Sequence, residues 1–288
     1  MTGGRITSRQ LSQQAAFGLL IIATAVVVLP VIFIILQIVI SGGSAISWDF
    51  LTLAPSQAGK AGGIFPAIIG TFYLMLGTII IALPVGVLAG IYLTEYAGDN
   101  WLTRIINLAI VNLAGVPSIV YGLFGLGVFV LALKFGMSLL SASLTLACQA
   151  LAMTVTTSRE AIIAVPREYR EGSLAVGVTK WKTIRHMVLP QALPGIITGA
   201  VLAMSRAAGE TAPILVVGAA FLLPRLPQSP LDQFMALPYH LYTVAAHVPG
   251  IPQSGMWGVA LVLLVVVLSF NVLATVIRLR ARKRRYSS

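Results

Sequence analysis

The chain has 288 residues, of which 58% are hydrophobic and 9% are charged, and its mean hydropathy is +0.94. Soluble domains are about 45 to 50% apolar and about 25% charged, so this composition excludes a soluble globular protein. The formal net charge is +11, but the basic residues flank apolar stretches, which indicates membrane topology rather than nucleic-acid binding. A single cysteine, Cys148, excludes an intrachain disulfide framework and a cysteine-rich metal site.

The first apolar stretch, residues 15–40, follows a short tail, residues 1–14, that carries Arg5 and Arg9. A charged start before an apolar run is typical of a signal peptide, whose apolar region is about 7 to 15 residues long. The run of 26 residues is longer than that and long enough to cross a bilayer. We therefore interpret it as a retained membrane anchor.

Charge-free stretches along the rest of the chain predict further membrane helices. All spans should be helical, because an open sheet in lipid would leave backbone groups without hydrogen bonds. The fold class predicted is an all-α polytopic membrane protein, with one transmembrane domain over residues 15–277. The six predicted spans are 15–40, 66–93, 105–133, 137–158, 192–221 and 255–277.

The distribution of lysine and arginine predicts how these spans are oriented. Fifteen of the 19 basic residues fall in loops on the side of the two termini, three fall on the other side, and Arg206 lies within a span. Loops rich in lysine and arginine stay in the cytoplasm, so both termini are predicted to be cytoplasmic. The basic tail, residues 278–288, then acts as a stop and orientation signal.

The loop over residues 222–254 lies on the outer side in this topology and is predicted to contain a short helix near 233–246. His240 and His247 are seven residues apart in it, but without a nearby carboxylate or cysteine a metal site is the minority interpretation. Within the spans, Gly86 and Gly90 are spaced for close helix packing, as are Gly195 and Gly199.

The sequence contains no complete motif for catalysis. Residues 54–61 resemble a phosphate-binding loop, but Ala61 lacks the hydroxyl that would hold Mg²⁺, and no buried strand precedes the segment. There is no zinc-protease motif and no recognisable nucleophile with a base. The chain is therefore predicted not to be an enzyme and to hold no cofactor or metal.

The inner loop, residues 159–190, carries a more informative pattern. Pro166 and Gly177 bracket a predicted helix, since proline favours a helix start and glycine a left-handed helix end. Glu171, Gly177 and Leu189-Pro190 match the spacing of the EAA loop of ABC importer permeases, which they resemble, although Gly172, Ser173 and Met187 depart from its residue types. The resemblance implies a coupling helix that docks on a cytoplasmic ATPase. The residues assigned to this loop are Arg167, Glu168, Arg170, Glu171, Gly172, Ser173, Leu174, Gly177, Leu189 and Pro190.

The fifth span contains two ionisable residues, Arg206 and Glu210, which lie one helical turn apart and can pair with each other. Each costs about 2.5 to 3.5 kcal/mol at the centre of a membrane helix, and such residues usually line pathways, although pairing alone is an alternative. Pro213 cannot donate a hydrogen bond to the carbonyl of Gly209, so the helix should kink there. Arg206 would then face a cavity and present a planar set of donors suited to an oxyanion. The predicted pathway residues are Arg206, Glu210, Thr211 and Ser205, and the predicted kink residues are Gly209 and Pro213.

The segment Ser205–Pro213 is similar to the signature of the phosphate-specific ABC permease family, PstA, and so are Gly63–Thr71, Gly90–Tyr96 and Gly115–Leu123. The resemblance implies a bacterial cytoplasmic membrane importer of phosphate with a type I permease fold. It also implies a second permease (PstC-like), an ATPase dimer (PstB-like) that binds ATP and Mg²⁺, and an extracytoplasmic phosphate-binding protein (PstS-like). Three alternatives stay open: a permease for sulfate, molybdate or another polar solute, an ATP-independent channel or carrier, and a purely structural membrane subunit.

Overall fold

The computed structural model describes residues 8–247, 250 and 252–283. Arg5 and the end of the predicted basic tail, residues 284–288, lie outside the described residues. The described chain forms twelve α-helices and one two-stranded hairpin. The helices are α1 (Ser8–Gly43), α2 (Trp48–Thr52), α3 (Phe65–Ile91), α4 (Trp101–Ala114), α5 (Ser118–Gly125), α6 (Leu139–Ile163), α7 (Arg167–Ala175), α8 (Lys180–Thr183), α9 (Leu189–Gly209), α10 (Ala212–Val217), α11 (Leu237–Ala246) and α12 (Gln253–Lys283). The strands are β1 (Pro55–Ser56) and β2 (Ala61–Gly62), which pair antiparallel.

Five helical segments in the described chain are long and apolar enough to cross a membrane, and a bent pair of helices makes a sixth candidate. The five segments are Ser12–Gly43, Phe65–Tyr96, Leu139–Ile163, Lys180–Gly209 and Gln253–Leu273. The sixth is formed by α4 together with α5 and the π-helical turns that extend α5 to Ala132. The predicted all-α polytopic fold is therefore confirmed.

The prediction of one helix over residues 105–133 is wrong. The chain bends by 107° between α4 and the helix that starts at Ser118. Pro117 lacks a backbone N–H, has an extended ψ of 140° and disfavours helical backbone at the preceding residue, Val116. The Tyr121 hydroxyl then holds the bend by donating to the carbonyl oxygen of Leu113, at 2.7 Å.

The predicted span 192–221 also differs from the structure. Its helix starts earlier, because α8, a π-helical turn and α9 run continuously from Lys180 to Gly209. The helix breaks at Glu210 and Thr211, where Pro213 allows only a new start, and α10 ends at Val217. Residues 218–221 are not helical, since Gly218 lies against the backbone of Ser138 and Ala219 pairs with Phe234.

Helices α3, α6 and α9 form the centre of the fold, and small residues let them approach closely. A Cβ atom at Gly86 of α3 would lie 2.6 Å from the Thr154 Cγ2 atom of α6. Gly199 of α9 lies in the same way against Thr157 of α6. The predicted packing role of these glycines is confirmed. Close backbone contact replaces the hydrophobic effect, which is weak between helices in lipid.

This packing yields a stability prediction. Replacing Gly86 with Leu should destabilise the protein by about 1 to 3 kcal/mol, because the added side chain has no space against α6. The midpoint of thermal unfolding in detergent measures the effect. Gly18→Leu is the control, since Gly18 has no atom within 4 Å of its Cβ position. Equal midpoints for the two variants would contradict the packing argument.

The segment that precedes α11 folds back into the body of the protein. Phe234, Met235 and Leu237 are almost fully buried, and the Leu237 amide donates to the Thr71 hydroxyl of α3 at 2.8 Å. The helix predicted near 233–246 is present as α11, four residues shorter at its start. His240 is buried at 3% exposure, and this burial lowers its pKa.

Residues 228–232 form a turn that caps the start of α6. The carbonyl oxygens of Asp232 and Pro230 accept from the amides of Leu139 and Leu140, at 2.9 and 2.8 Å. The Asp232 carboxylate accepts from the amides of Gln228 and Ser229, and these bonds lower its pKa. The ionised carboxylate therefore orders the turn on which the α6 cap depends.

Protonation of Asp232 should loosen this turn. Because its pKa is lower in the folded state, the stabilisation is present above the ordinary aspartate pKa and is lost as the pH falls through the folded value. We expect Asp232→Ala to make amide hydrogen exchange of Gln228 and Ser229 severalfold faster at neutral pH. In the variant, the protection of these two amides from exchange should also no longer fall as the pH drops through the folded pKa of Asp232. An unchanged exchange rate would contradict the assigned role.

Candidate functional site

Arg206 and Glu210 lie at the break between α9 and α10. Arg206 is in the last turn of α9, and Glu210 is the first residue after it, with extended backbone (φ −72°, ψ 128°). The Arg206 Nε atom and the Glu210 Oε1 atom are 3.4 Å apart. The Arg206 side chain is 57% exposed and that of Glu210 is 15% exposed. The two residues therefore pair, but the contact is long and leaves more than half of the Arg206 side chain exposed.

A third polar residue, Gln149 of α6, joins this pair. Its Nε2 atom donates to the same oxygen, Glu210 Oε1, at 2.6 Å. The Gln149 Oε1 atom is buried and has no hydrogen-bond donor in the described chain. Gln149 was not predicted as a site residue, because it is an uncharged amide within an apolar helix. A side-chain amide in a membrane helix needs a hydrogen-bond partner on another helix, and this need could have indicated Gln149.

A small cavity adjoins the guanidinium. Its walls come from the α4–α5 bend, the middle of α6 and the last turns of α9, and they include Leu113, Tyr121, Gln149 and Arg206. The cavity volume is about 30 Å³, which is enough for one or two water molecules. Arg206 is thus the cationic group in a largely apolar wall.

The α4–α5 bend packs directly on the helix break. A Cβ atom at Gly122 of α5 would lie 2.9 Å from the Pro213 Cα atom of α10. The segments Gly115–Leu123 and Ser205–Pro213, which the sequence analysis singled out separately, therefore meet at one place. The bend and the break that leads to Glu210 are therefore in direct contact.

Two of the predicted pathway residues lie elsewhere. The Ser205 hydroxyl donates to Asn271 Oδ1 of α12, at 2.5 Å, and so faces away from Arg206. Thr211 lies at the start of α10, where its side chain caps no amide. Of the four predicted residues, Arg206 lines the cavity, Glu210 contacts Arg206 and Gln149, and Ser205 and Thr211 contribute neither contact.

The predicted coupling segment lies at the opposite end of α6 from the Asp232 turn. Helix α7 starts after Pro166 and is followed by Gly177 in a left-handed conformation (φ +80°), as predicted. Leu174 and Val176 are 48% and 78% exposed and form an uncovered apolar surface. Five other predicted contact residues are also exposed: Arg167, Glu168, Glu171, Gly172 and Pro190.

Three predicted contact residues instead face the membrane helices. Arg170 is directed inward, Ser173 shares a 2.9 Å hydrogen bond with Thr183, and Leu189 packs on the buried residues beneath α7. These three residues hold the segment against the membrane helices. The exposed residues form its outer face.

Arg170 joins α7 to two membrane helices. Its guanidinium contacts Glu95 Oε1 at 3.0 and 2.8 Å, in the π-helical turn that extends α3. It also donates to the carbonyl oxygens of Ile162 and Val165 at the end of α6, at 2.8 and 2.7 Å. The side chains of Arg170 and Glu95 are only 19% and 8% exposed. Glu95 lies in the segment Gly90–Tyr96. This segment therefore anchors Arg170 through Glu95, a role that its residues alone did not predict.

Comparison with known proteins identifies the family of this chain. Residues 82–283 match the model of the binding-protein-dependent transport system inner membrane component. The chain belongs to this family of permeases. It is therefore a multi-pass inner-membrane protein and the transmembrane subunit of an ABC transporter.

Individual relatives cover nearly the whole permease. The probable ABC transporter permease protein YqgI of Bacillus subtilis is 33% identical over 280 residues, 93% of this chain and 95% of the relative. The phosphate transport system permease protein PstA 1 of Mycobacterium tuberculosis is 32% identical over 286 residues, 96% of this chain and 92% of the relative. A probable PstA of Methanocaldococcus jannaschii is 34% identical over 250 residues, 86% of this chain and 87% of the relative.

Solved transporters share the fold of the permease. A bacterial ABC transporter that imports the acidic polysaccharide alginate aligns over 94% of this chain and 96% of its own, with a TM-score of 0.64 and 14% identity. The MetNI methionine transporter, in an inward-facing form, aligns over 76% of this chain and 97% of its own, with a TM-score of 0.61 and 18% identity. At such identities the likeness concerns the fold alone.

Proposed function

We propose that this permease is the PstA-type subunit of an ATP-driven importer of inorganic phosphate and forms half of the translocation pathway. The other half would come from a PstC-like permease, with a PstB-like ATPase dimer and a PstS-like phosphate-binding protein outside the membrane. Several relatives of about 32 to 34% identity are named as phosphate transport permeases, which supports the substrate. The single observation that carries the proposal is the partly uncovered guanidinium of Arg206 beside a cavity at a helix break.

The chemistry of the site suits an oxyanion. A guanidinium presents several N–H donors in one plane and binds tetrahedral oxyanions through two hydrogen bonds at once. Glu210 is held by Gln149, so its carboxylate is not free to cover the guanidinium fully. In the empty state Glu210 limits the cost of a charge in the membrane, and an arriving anion takes its place beside Arg206.

Coupling to ATP hydrolysis would act through the outer face of α7. In the proposed topology both termini and α7 are cytoplasmic, so the apolar patch of Leu174 and Val176 faces the ATPase. Movement of α7 would pass through Arg170 to the ends of α3 and α6, and along them to the helix break. ATP and Mg²⁺ would bind only in the ATPase, and this chain would carry no cofactor and catalyse no reaction.

The decisive test is uptake by the assembled complex. The complex, purified through a tag on this chain and reconstituted with its binding protein, should accumulate radiolabelled phosphate in proteoliposomes only when ATP is hydrolysed. Excess sulfate or molybdate should not compete. Competition by either anion would indicate another oxyanion permease, and uptake without ATP would indicate a channel or carrier. Each of these results would overturn the proposal.

A further inference from the structure

Only one end of the Gln149 side-chain amide forms a hydrogen bond in the described chain. An ionised carboxylate accepts hydrogen bonds and donates none, so the contact with Glu210 fixes the amide orientation with Nε2 towards Glu210. The other end, Oε1, is then necessarily a hydrogen-bond acceptor. It is buried and has no donor in the described chain. A buried acceptor left without a donor costs free energy, and such atoms in a native protein call for an explanation.

The surroundings of this oxygen indicate what kind of donor is missing. Gln149 and Arg206 line the same cavity, and Glu210 Oε1 contacts both side chains. One small space is therefore lined by two residues with opposite hydrogen-bonding needs, namely Arg206 with its N–H donors and Gln149 with an acceptor oxygen that lacks a donor. A small anion with a hydroxyl hydrogen meets both needs and, unlike a water molecule, also matches the charge of Arg206.

We propose that Gln149 is a specificity residue, whose Oε1 atom accepts the hydroxyl hydrogen of a protonated phosphate that Arg206 binds. This inference rests on the proposed function and names the feature of the substrate that the site reads. Inorganic phosphate carries at least one hydroxyl at neutral pH. Sulfate and molybdate are fully deprotonated there, so their oxygens would face acceptor oxygens and leave them unsatisfied. A site that reads a hydroxyl rejects analogues that lack it.

Monofluorophosphate separates this role from a structural one. It is tetrahedral and close to phosphate in size, but fluorine replaces the hydroxyl. We would measure direct binding of radiolabelled phosphate and of radiolabelled monofluorophosphate to the permease–ATPase complex in lipid nanodiscs, without the binding protein. The variants are Gln149→Leu, Gln149→Met as a second apolar replacement, and Arg206→Gln. Cys148→Ala is the control, because Cys148 is the neighbour of Gln149 on α6 and does not line the cavity.

The expected result is selective. Gln149→Leu and Gln149→Met should weaken phosphate binding about 10-fold to 100-fold more than monofluorophosphate binding, because the release of Glu210 affects both ligands but only phosphate loses a hydrogen bond to Gln149. Arg206→Gln should weaken both ligands, and Cys148→Ala neither.

Other results would overturn the inference in distinguishable ways. Equal loss of both ligands in the Gln149 variants would mean that Gln149 only shapes the site, and unchanged phosphate binding would mean that it has no role. In both cases the proposed function stands, provided that Arg206→Gln weakens binding. If the unaltered complex bound neither ligand, the proposed function and the role of Gln149 would both be overturned.

Discussion

Arg206→Gln should reduce ATP-driven phosphate uptake by about 100-fold or more, while the complex still assembles. Arg206 supplies the positive charge in the cavity wall, and its side chain is 57% exposed. Glutamine has a similar length but only one amide donor group and no charge, so the favourable interaction with an anion is lost. Initial uptake rates at equal membrane levels of the complex measure the effect. Arg104→Gln is the matched control, because Arg104 is an exposed arginine whose only ion pair in the described chain is with the exposed Asp99.

A double variant separates a role in the pathway from simple charge pairing. If Arg206 and Glu210 serve only to neutralise each other, Arg206→Gln combined with Glu210→Gln should restore uptake, because no unpaired charge stays in the membrane. If Arg206 binds phosphate, the double variant should transport as poorly as Arg206→Gln alone. Recovery of uptake in the double variant would contradict the proposed site.

The order of helices could be predicted well from the sequence, but their interruptions could not. Apolar length alone identifies α1, α3, α6 and α12 as spans, since lipid leaves no alternative for the backbone. The 107° bend before α5 was missed because a proline inside a membrane helix often only kinks it. Whether the chain kinks or turns back depends on tertiary contacts, here the Tyr121 bond to Leu113 and the packing of Gly122 on Pro213.

The candidate site could be predicted from the sequence only where a residue has an evident free-energy cost. Arg206 and Glu210 stand out because a charge in a membrane span is expensive. Gln149 and Glu95 are 61 and 75 residues away from their partners, and nothing local connects them. Ser205 is predicted to line the pathway, but adjacent residues of a helix point in different directions, and Ser205 donates to Asn271.

The contact between Arg170 and Glu95 should carry motion from the ATPase to the membrane helices. Both side chains are largely buried, and they connect α7 to the end of α3, while further bonds of Arg170 hold the end of α6. Replacing Glu95 with Gln leaves the Arg170 charge without its partner, at a cost of about 3 kcal/mol if the site does not relax. It keeps the bonds of Arg170 to α6 and leaves only a neutral amide oxygen to accept from Arg170, so α7 stays attached but its tie to α3 is weakened.

We therefore expect Glu95→Gln to reduce phosphate uptake by about tenfold, in line with typical coupling free energies, while ATP hydrolysis continues. The measurement is the number of phosphate ions taken up per ATP hydrolysed in proteoliposomes that contain the full complex. Asp99→Asn is the control, because Asp99 pairs with Arg104 just beyond the same turn but the two side chains are 79% and 71% exposed, where an ion pair contributes little. Arg170→Lys should resemble Glu95→Gln, since an ammonium group cannot reach Glu95 and the two carbonyl oxygens of α6 together. A parallel fall in uptake and ATP hydrolysis would contradict a coupling role, because it would show that the ATPase itself is no longer held in place.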